Sequence, residues 1–215
     1  MKSKTMDRDA LVLNTFNRVA SEYQEIFMNF DLYDDSYDTF CELLIQNADV
    51  LEIACGPGNI TKYILTKRPD LNIDATDFAD NMLALAKANV PQANFINLDA
   101  RAINTLTKKY NGVLCGFCFP YLSKTECIKL IEDSAILLEQ HGVLYFSFIE
   151  DEHGKSGFAT SSDGAHTYHV FYHESEYFKK ALIANCFMLI LHDHKKYTRA
   201  SGASEIHTII IAQKI

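Results

Sequence analysis

Little in this sequence breaks, staples or anchors the chain. Four prolines and nine glycines are spread through 215 residues, so no linker, repeat or low-complexity segment divides it. One domain spanning 1–215 is the expectation, large enough to bury roughly 70% of its unfolded surface without a disulfide or metal staple. No uninterrupted apolar run approaches the ~18 residues of a membrane-spanning helix. The start Met1-Lys2-Ser3-Lys4-Thr5 lacks the apolar core of a secretory signal. A soluble, cytoplasmic protein with no membrane partner is expected. Basic excess is missing too: 28 acidic residues against 20 basic ones leave a formal charge of −8. Such a field repels phosphate backbones, so no nucleic-acid partner is expected. The cysteines form no disulfide framework. Cys55, Cys115, Cys127 and Cys186 lie in apolar segments and read as reduced, buried thiols. Cys115 and Cys118 make a lone C-x-x-C with no second pair, which argues for packing over a metal.

What is present centres on Val50-Leu51-Glu52-Ile53-Ala54-Cys55-Gly56-Pro57-Gly58-Asn59-Ile60-Thr61. An apolar run of buried-strand type stops at two glycines, and an amphipathic helix begins at once, with Ile60, Tyr63, Ile64 and the stem of Lys67 on one face. Gly56 and Gly58 lack Cβ and let a ligand approach the main chain, while the helix start offers unpaired N–H groups. A polar or anionic ligand is expected in this turn. A dinucleotide fingerprint would carry a third small residue where Thr61 stands, so the fit to NAD is poor.

The remaining chain alternates strands and helices. Helical spacing covers about Asp7 to Ile45, with a turn near Asp31 to Asp35. Pro69 ends the helix after the glycine turn, and the strand Leu71 to Asp77 follows, then a helix from Asp80 to Asn89. Further strands are expected at 94–98, 112–117 and 143–149. Ser123 and Glu126 form a capping box for a helix over 124–138. The polar stretch 150–167 is long enough to be a binding loop, and Tyr168 to Tyr172 alternates like a strand of a hairpin. A helix over 175–184 and strands at 187–194 and 206–212 complete the pattern.

Motif, strand order and acidic strand ends together resemble class I S-adenosylmethionine-dependent methyltransferases of the small-molecule type. The acidic position of that family's first motif is held by Glu52, and Ala54 stands where the family often has its first glycine. The resemblance implies an α/β, Rossmann-like seven-stranded sheet in the order 3-2-1-4-5-7-6, with an antiparallel last strand and helices on both faces. It implies S-adenosyl-L-methionine as cofactor. Asp77 would bind both ribose hydroxyls, Phe78 and Met82 would flank the adenine, and Asp99 with Ala100 would read its edge. Glu52, Ala54, Cys55, Gly56, Gly58, Gly116 and Phe117 would complete the cofactor site, beneath an N-terminal lid over about 7–46 that brings in Tyr23. A second lid is expected over about 150–172.

Aromatic lining by Phe119 and Tyr121, with His166 and His169, is expected for a small-molecule acceptor. The histidines His153, His166, His169 and His173 match no metal-ligand spacing, and no metal is expected among them. An alcohol or phenol acceptor would need a general base, for which Glu150, His153 and His166 are candidates, whereas an amine or carboxylate needs mainly positioning. Protein or nucleic-acid acceptors, and a non-catalytic cofactor-binding module, remain as alternatives. The acceptor's identity and the oligomeric state are left open.

Overall fold

The computed structural model describes residues 8–160, 167–199 and 202–215. Helices α1 (Arg8–Phe27) and α2 (Asp34–Leu43) precede β1 (Asp49–Ile53), α3 (Asn59–Lys67), β2 (Asn72–Asp77), α4 (Asp80–Asn89) and β3 (Asn94–Asn97). Then come β4 (Tyr110–Cys115), α5 (Lys124–Leu137), β5 (Leu138–Glu150), β6 (Gly157–Thr160), β7 (Thr167–Val170), α6 (Ser175–Ala184), β8 (Phe187–Thr198) and β9 (Ser204–Lys214). Seven strands form one sheet in the order β3-β2-β1-β4-β5-β9-β8. Counted within that sheet, this is 3-2-1-4-5-7-6. The first five run parallel, and β9 lies antiparallel to both β5 and β8.

Each face of the sheet buries its own core. Phe119, Phe146, Phe148 and Phe178 meet beneath α5 and α6 on one side, while Phe40, Ile64, Leu83 and Tyr145 meet beneath α2, α3 and α4 on the other. Burial on both faces explains why β1 and most of β5 read as continuous apolar runs. The capping box forms as its spacing requires, with Ser123 Oγ accepting from Glu126 N–H and the Glu126 carboxylate accepting from Ser123 N–H.

Three expectations change. The N-terminal helices were grouped as one lid, yet α2 is part of the core: Tyr37 and Phe40 are buried against Tyr145, and the Tyr145 hydroxyl meets Ser36 Oγ at 3.0 Å. Only α1 lies over the strand ends. Cys186, expected to be buried, is exposed, because the chain turns there with a positive φ of 58° before entering β8. The strand expected at 143–149 begins at Leu138, directly after α5, and Glu139 to Gly142 form an irregularity between Leu138, paired with Tyr110, and Val143, paired with Gly112. In the region 150–172, β6 and β7 pair as a separate antiparallel hairpin. His166 lies outside the described residues.

The glycine turn is more strained than its glycines require. Gly56 and Gly58 take positive φ values of 56° and 83°, and Gly58 packs so closely on α4 that a Cβ would sit 3.3 Å from the Ala86 Cα. Ala54 also has a positive φ, 55°, which costs an L-residue energy that glycine would not pay. Below it, Glu52 is buried at 1% exposure, and its Oε2 accepts from Thr61 Oγ1 at 2.6 Å. The same Thr61 that spoils a dinucleotide fingerprint therefore satisfies a buried carboxyl. Burial pushes the Glu52 pKa up to about 8, with the Thr61 bond opposing and the Asp77 charge adding to the rise.

Two outcomes follow. Because the folded pKa of Glu52 lies above its unfolded value, the stability it contributes is complete below that unfolded value and is lost as pH rises through about 8. The stability of wild type to denaturant should therefore fall relative to that of Glu52→Gln as pH rises from about 5 to about 8.5, and parallel pH profiles would contradict this. Ala54→Gly should raise the unfolding free energy by roughly 0.5–1 kcal/mol in the same assay, the relief of positive φ exceeding the added chain entropy.

Candidate functional site

The carboxyl ends of β1, β2, β3 and β4 open into a cleft of about 810 Å³, measured out to open solvent. At its floor the Asp77 carboxylate, 6% exposed, accepts two backbone N–H bonds, from Gly56 at 2.9 Å and Ala79 at 2.8 Å. One strand-end acid thus ties the glycine turn to the start of α4. Each oxygen keeps a lone pair for a hydroxyl donor. Burial raises the Asp77 pKa, and the N–H bonds oppose that rise. Phe78 and Met82 line the same wall, with Ala54 and Gly56 opposite and Asp99 and Ala100 at the far end.

Asp99 does not face the cleft with a free carboxylate. It holds Arg101 in a fork, Nε to Oδ1 at 2.9 Å and Nη2 to Oδ2 at 2.5 Å, and accepts the Arg101 N–H at 2.8 Å. Arg101 also pairs with Asp9 of α1, and Arg8 beside it reaches Glu126 Oε1 at 2.7 Å. These ion pairs pin the first turn of α1 over the strand ends. Val12, Phe16 and Tyr23 of α1 then roof the cleft, and Phe16 meets Tyr121 edge to face at 4.9 Å. Tyr23 Cε1 lies 3.7 Å from where a Cβ on Gly56 would stand, so the roof touches the glycine turn. Burial, helped by the charge of Asp77 and by Tyr197, pushes the Tyr23 hydroxyl pKa up to about 12.

Gly116 and Phe117 close the cleft at the end of β4. Phe117 adopts a positive φ of 55° and donates its N–H to Ser147 Oγ at 2.9 Å. Strain of this kind at a bulky residue persists only where its surroundings hold it. Beyond Phe117 lies a group of residues the sequence reading passed over. The ring of Tyr33 lies 4.8 Å from that of Phe117, and that of His207 lies 4.7 Å from it. The Tyr33 hydroxyl meets His207 Nδ1 at 2.6 Å, and Tyr197 stacks on the imidazole at 4.8 Å. His207 Nε2 is buried without a hydrogen-bond partner, 3.6 Å from Glu205 Oε2. Strand alternation was the available signal, since His207, Ile209 and Ile211 share one face of β9.

The structure therefore gathers Tyr23, Ala54, Gly56, Asp77, Phe78, Met82, Asp99, Ala100, Gly116, Phe117 and Tyr121 around one cleft. Others lie elsewhere. Glu52, Cys55 and Gly58 sit behind the turn and support it from within the core. Phe119, expected to line an acceptor site, is fully buried, stacked on Phe146 at 4.7 Å and packed on Phe178, because the short 3₁₀ turn 119–121 aims it into the core and Tyr121 outward. Glu150 points away from the cleft toward Ser175 and Thr208. His153 stacks on Phe171 with Nδ1 2.9 Å from the Tyr172 carbonyl, and His169 packs on Phe171 at 4.3 Å. Neither histidine borders the cleft. Residues missed at its lining are Asp9, Val12, Phe16, Leu98, Arg101, Cys118 and Leu122.

The cleft suits an adenosine-bearing ligand: a dyad of acceptor lone pairs at Asp77, a turn kept open by missing Cβ atoms, and apolar walls at Phe78 and Met82. Comparison with known proteins agrees. The family model described as "Methyltransferase domain" matches residues 50–142. A malonyl-[acyl-carrier protein] O-methyltransferase of Acetivibrio thermocellus is 32% identical over 103 residues, 46% of this chain and 35% of that protein. One from Ilyobacter polytropus is 27% identical over 139 residues, 63% of this chain and 51% of that protein. The chain spans about half the length, or less, of the curated relatives heading the comparison. Among solved structures, magnesium protoporphyrin IX methyltransferase from Synechocystis PCC 6803 with bound SAH superposes with a TM-score of 0.73 at 17% identity, covering 97% of this chain and 100% of that one. Residues 50–142 thus match the methyltransferase-domain family, and the chain as a whole has the fold of S-adenosylmethionine-dependent methyltransferases.

Proposed function

We propose that this protein transfers the methyl group of S-adenosylmethionine to a small-molecule acceptor bound beside Phe117. The observation that carries the acceptor class is the roofed, aromatic end of the cleft, where Phe16, Tyr23, Phe117 and Tyr121 line a volume covered by α1. A structural neighbour named for magnesium protoporphyrin IX as its methyl acceptor is in line with this reading. Such an acceptor also suits the acidic net charge of −8. No helix among the described residues is long and apolar enough to cross a membrane, and we take the protein to act in the cytoplasm.

The cofactor supplies a methyl already made electrophilic by a sulfonium, so the chain's task is positioning and exclusion of water. Asp77 would hold the ribose hydroxyls, Phe78 and Met82 would pack along one side of the base, and Ala100 N–H with the remaining lone pair of Asp99 Oδ2 would read its edge. Tyr23 covers the open side of the glycine turn, and its ring and that of Phe117 line the cleft. Behind Phe117 the Tyr33–His207 pair backs this end of the cleft, with Tyr33 holding Nδ1.

Calorimetric titration of wild type and Asp77→Ala with S-adenosylmethionine and S-adenosylhomocysteine tests the cofactor assignment. Micromolar binding by wild type, weakened by roughly 100-fold in the variant, is expected for loss of a buried carboxylate accepting two hydroxyls. Absence of binding by folded wild type would overturn the reading. With binding established, S-adenosylhomocysteine release is followed across small carboxylic acids, phenols, peptides and nucleic acids.

A further inference from the structure

On the opposite face of the sheet from His207, topology brings together three residues that sequence spacing leaves far apart. His192 and His194 stand two apart on the edge strand β8 and project from the same side of it. Glu150 ends β5, on the far side of the intervening β9. One ligand atom from each of the three lies within 4.8 Å of the others. Their imidazole rings are 4.7 Å apart, and His194 Nδ1 lies 3.3 Å from Glu150 Oε2.

Two hydroxyls frame the carboxylate. Ser175 Oγ, at the first turn of α6, donates to Glu150 Oε1 at 2.5 Å and lies 3.1 Å from His192 Nε2. Thr208 Oγ1 donates to Glu150 Oε2 and lies 2.9 Å from His194 Nδ1. Each hydroxyl gives its single proton to the carboxylate, so the imidazole nitrogen facing it must bring a proton of its own. A cation held among the three groups would replace those protons, and the hydroxyls would remain as supports that orient the carboxylate. Two imidazoles and one carboxylate, with an open side, form a donor set suited to zinc and its first-row neighbours rather than to magnesium or calcium.

We propose that Glu150, His192 and His194 form a site for a divalent transition-metal ion of the zinc class. Occupied, it joins three otherwise separate pieces: the edge strand β8, the end of β5 and the N-terminus of α6. It takes no part in methyl transfer, since it faces away from the cleft. Its effect is to fix the β8–β9 pair, whose other face carries Tyr197 and His207.

The test uses the full 215-residue chain freed of metal with a chelator. It is titrated with zinc chloride by calorimetry and with cobalt chloride by visible absorption, which reports coordination number. One equivalent of each is expected to bind, with a cobalt spectrum of four- or five-coordinate type and a rise in thermal midpoint. His192→Ala and His194→Ala should each weaken zinc by roughly tenfold or more, while His141→Asn on the opposite end of the sheet should bind as wild type does. Both alanine variants are checked for a native circular dichroism spectrum before titration. The absence of saturable binding near one equivalent, a six-coordinate cobalt spectrum, or affinity retained when His192 and His194 are both replaced would each overturn the proposal.

Discussion

The Asp77 carboxylate is the constraint on which the cleft depends. It is nearly buried, and it accepts the Gly56 and Ala79 N–H groups that the end of β1 and the start of α4 would otherwise leave unpaired. Three separate pieces of chain are fixed by one side chain: the strand carrying it, the glycine turn beside it and the helix after it. The pair of bonds also sets the orientation of the carboxylate before any ligand arrives, so little ordering is left to be done on binding.

Backbone strain concentrates at the same place. Ala54 and Phe117 have positive φ values of 55° each, and they lie at the ends of the adjacent strands β1 and β4. Neither is a glycine. The sheet beneath both residues is rigid, with Leu51, Ile53, Val113 and Leu114 wholly buried, and it can hold conformations that would relax in a loop. Strain is thus carried where the cleft needs two strand ends to diverge and leave a gap.

Much of this was legible in the sequence, for identifiable reasons. The sheet order was implied by the family resemblance that the glycine turn and the strand–helix pattern carry, and the boundaries of α4 and α6 fell where apolar spacing placed them. Local chemistry also located Asp77, Gly56 and Phe78. What escaped were relations between distant segments. Phe119 and Tyr121 sit two residues apart in one aromatic run, and only the 3₁₀ turn decides that the first enters the core and the second the cleft. The Tyr33 and His207 contact spans 174 positions, and nothing local to either residue announces it. Glu150 looked available as a base because it stands at a strand end, but the parity of β5 turns it to the other face of the sheet.

The roof over the cleft is held in a different manner from its floor. Its first turn is tied by Arg8 to Glu126 and by Arg101 to Asp9, with side chains a quarter or more exposed at three of those four positions. Half-exposed ion pairs weaken as salt screens them, whereas the backbone bonds to buried Asp77 do not. Ionic strength therefore acts on how often α1 lifts, and so on the residence time of whatever lies beneath it, while the intrinsic fit of the floor stays constant.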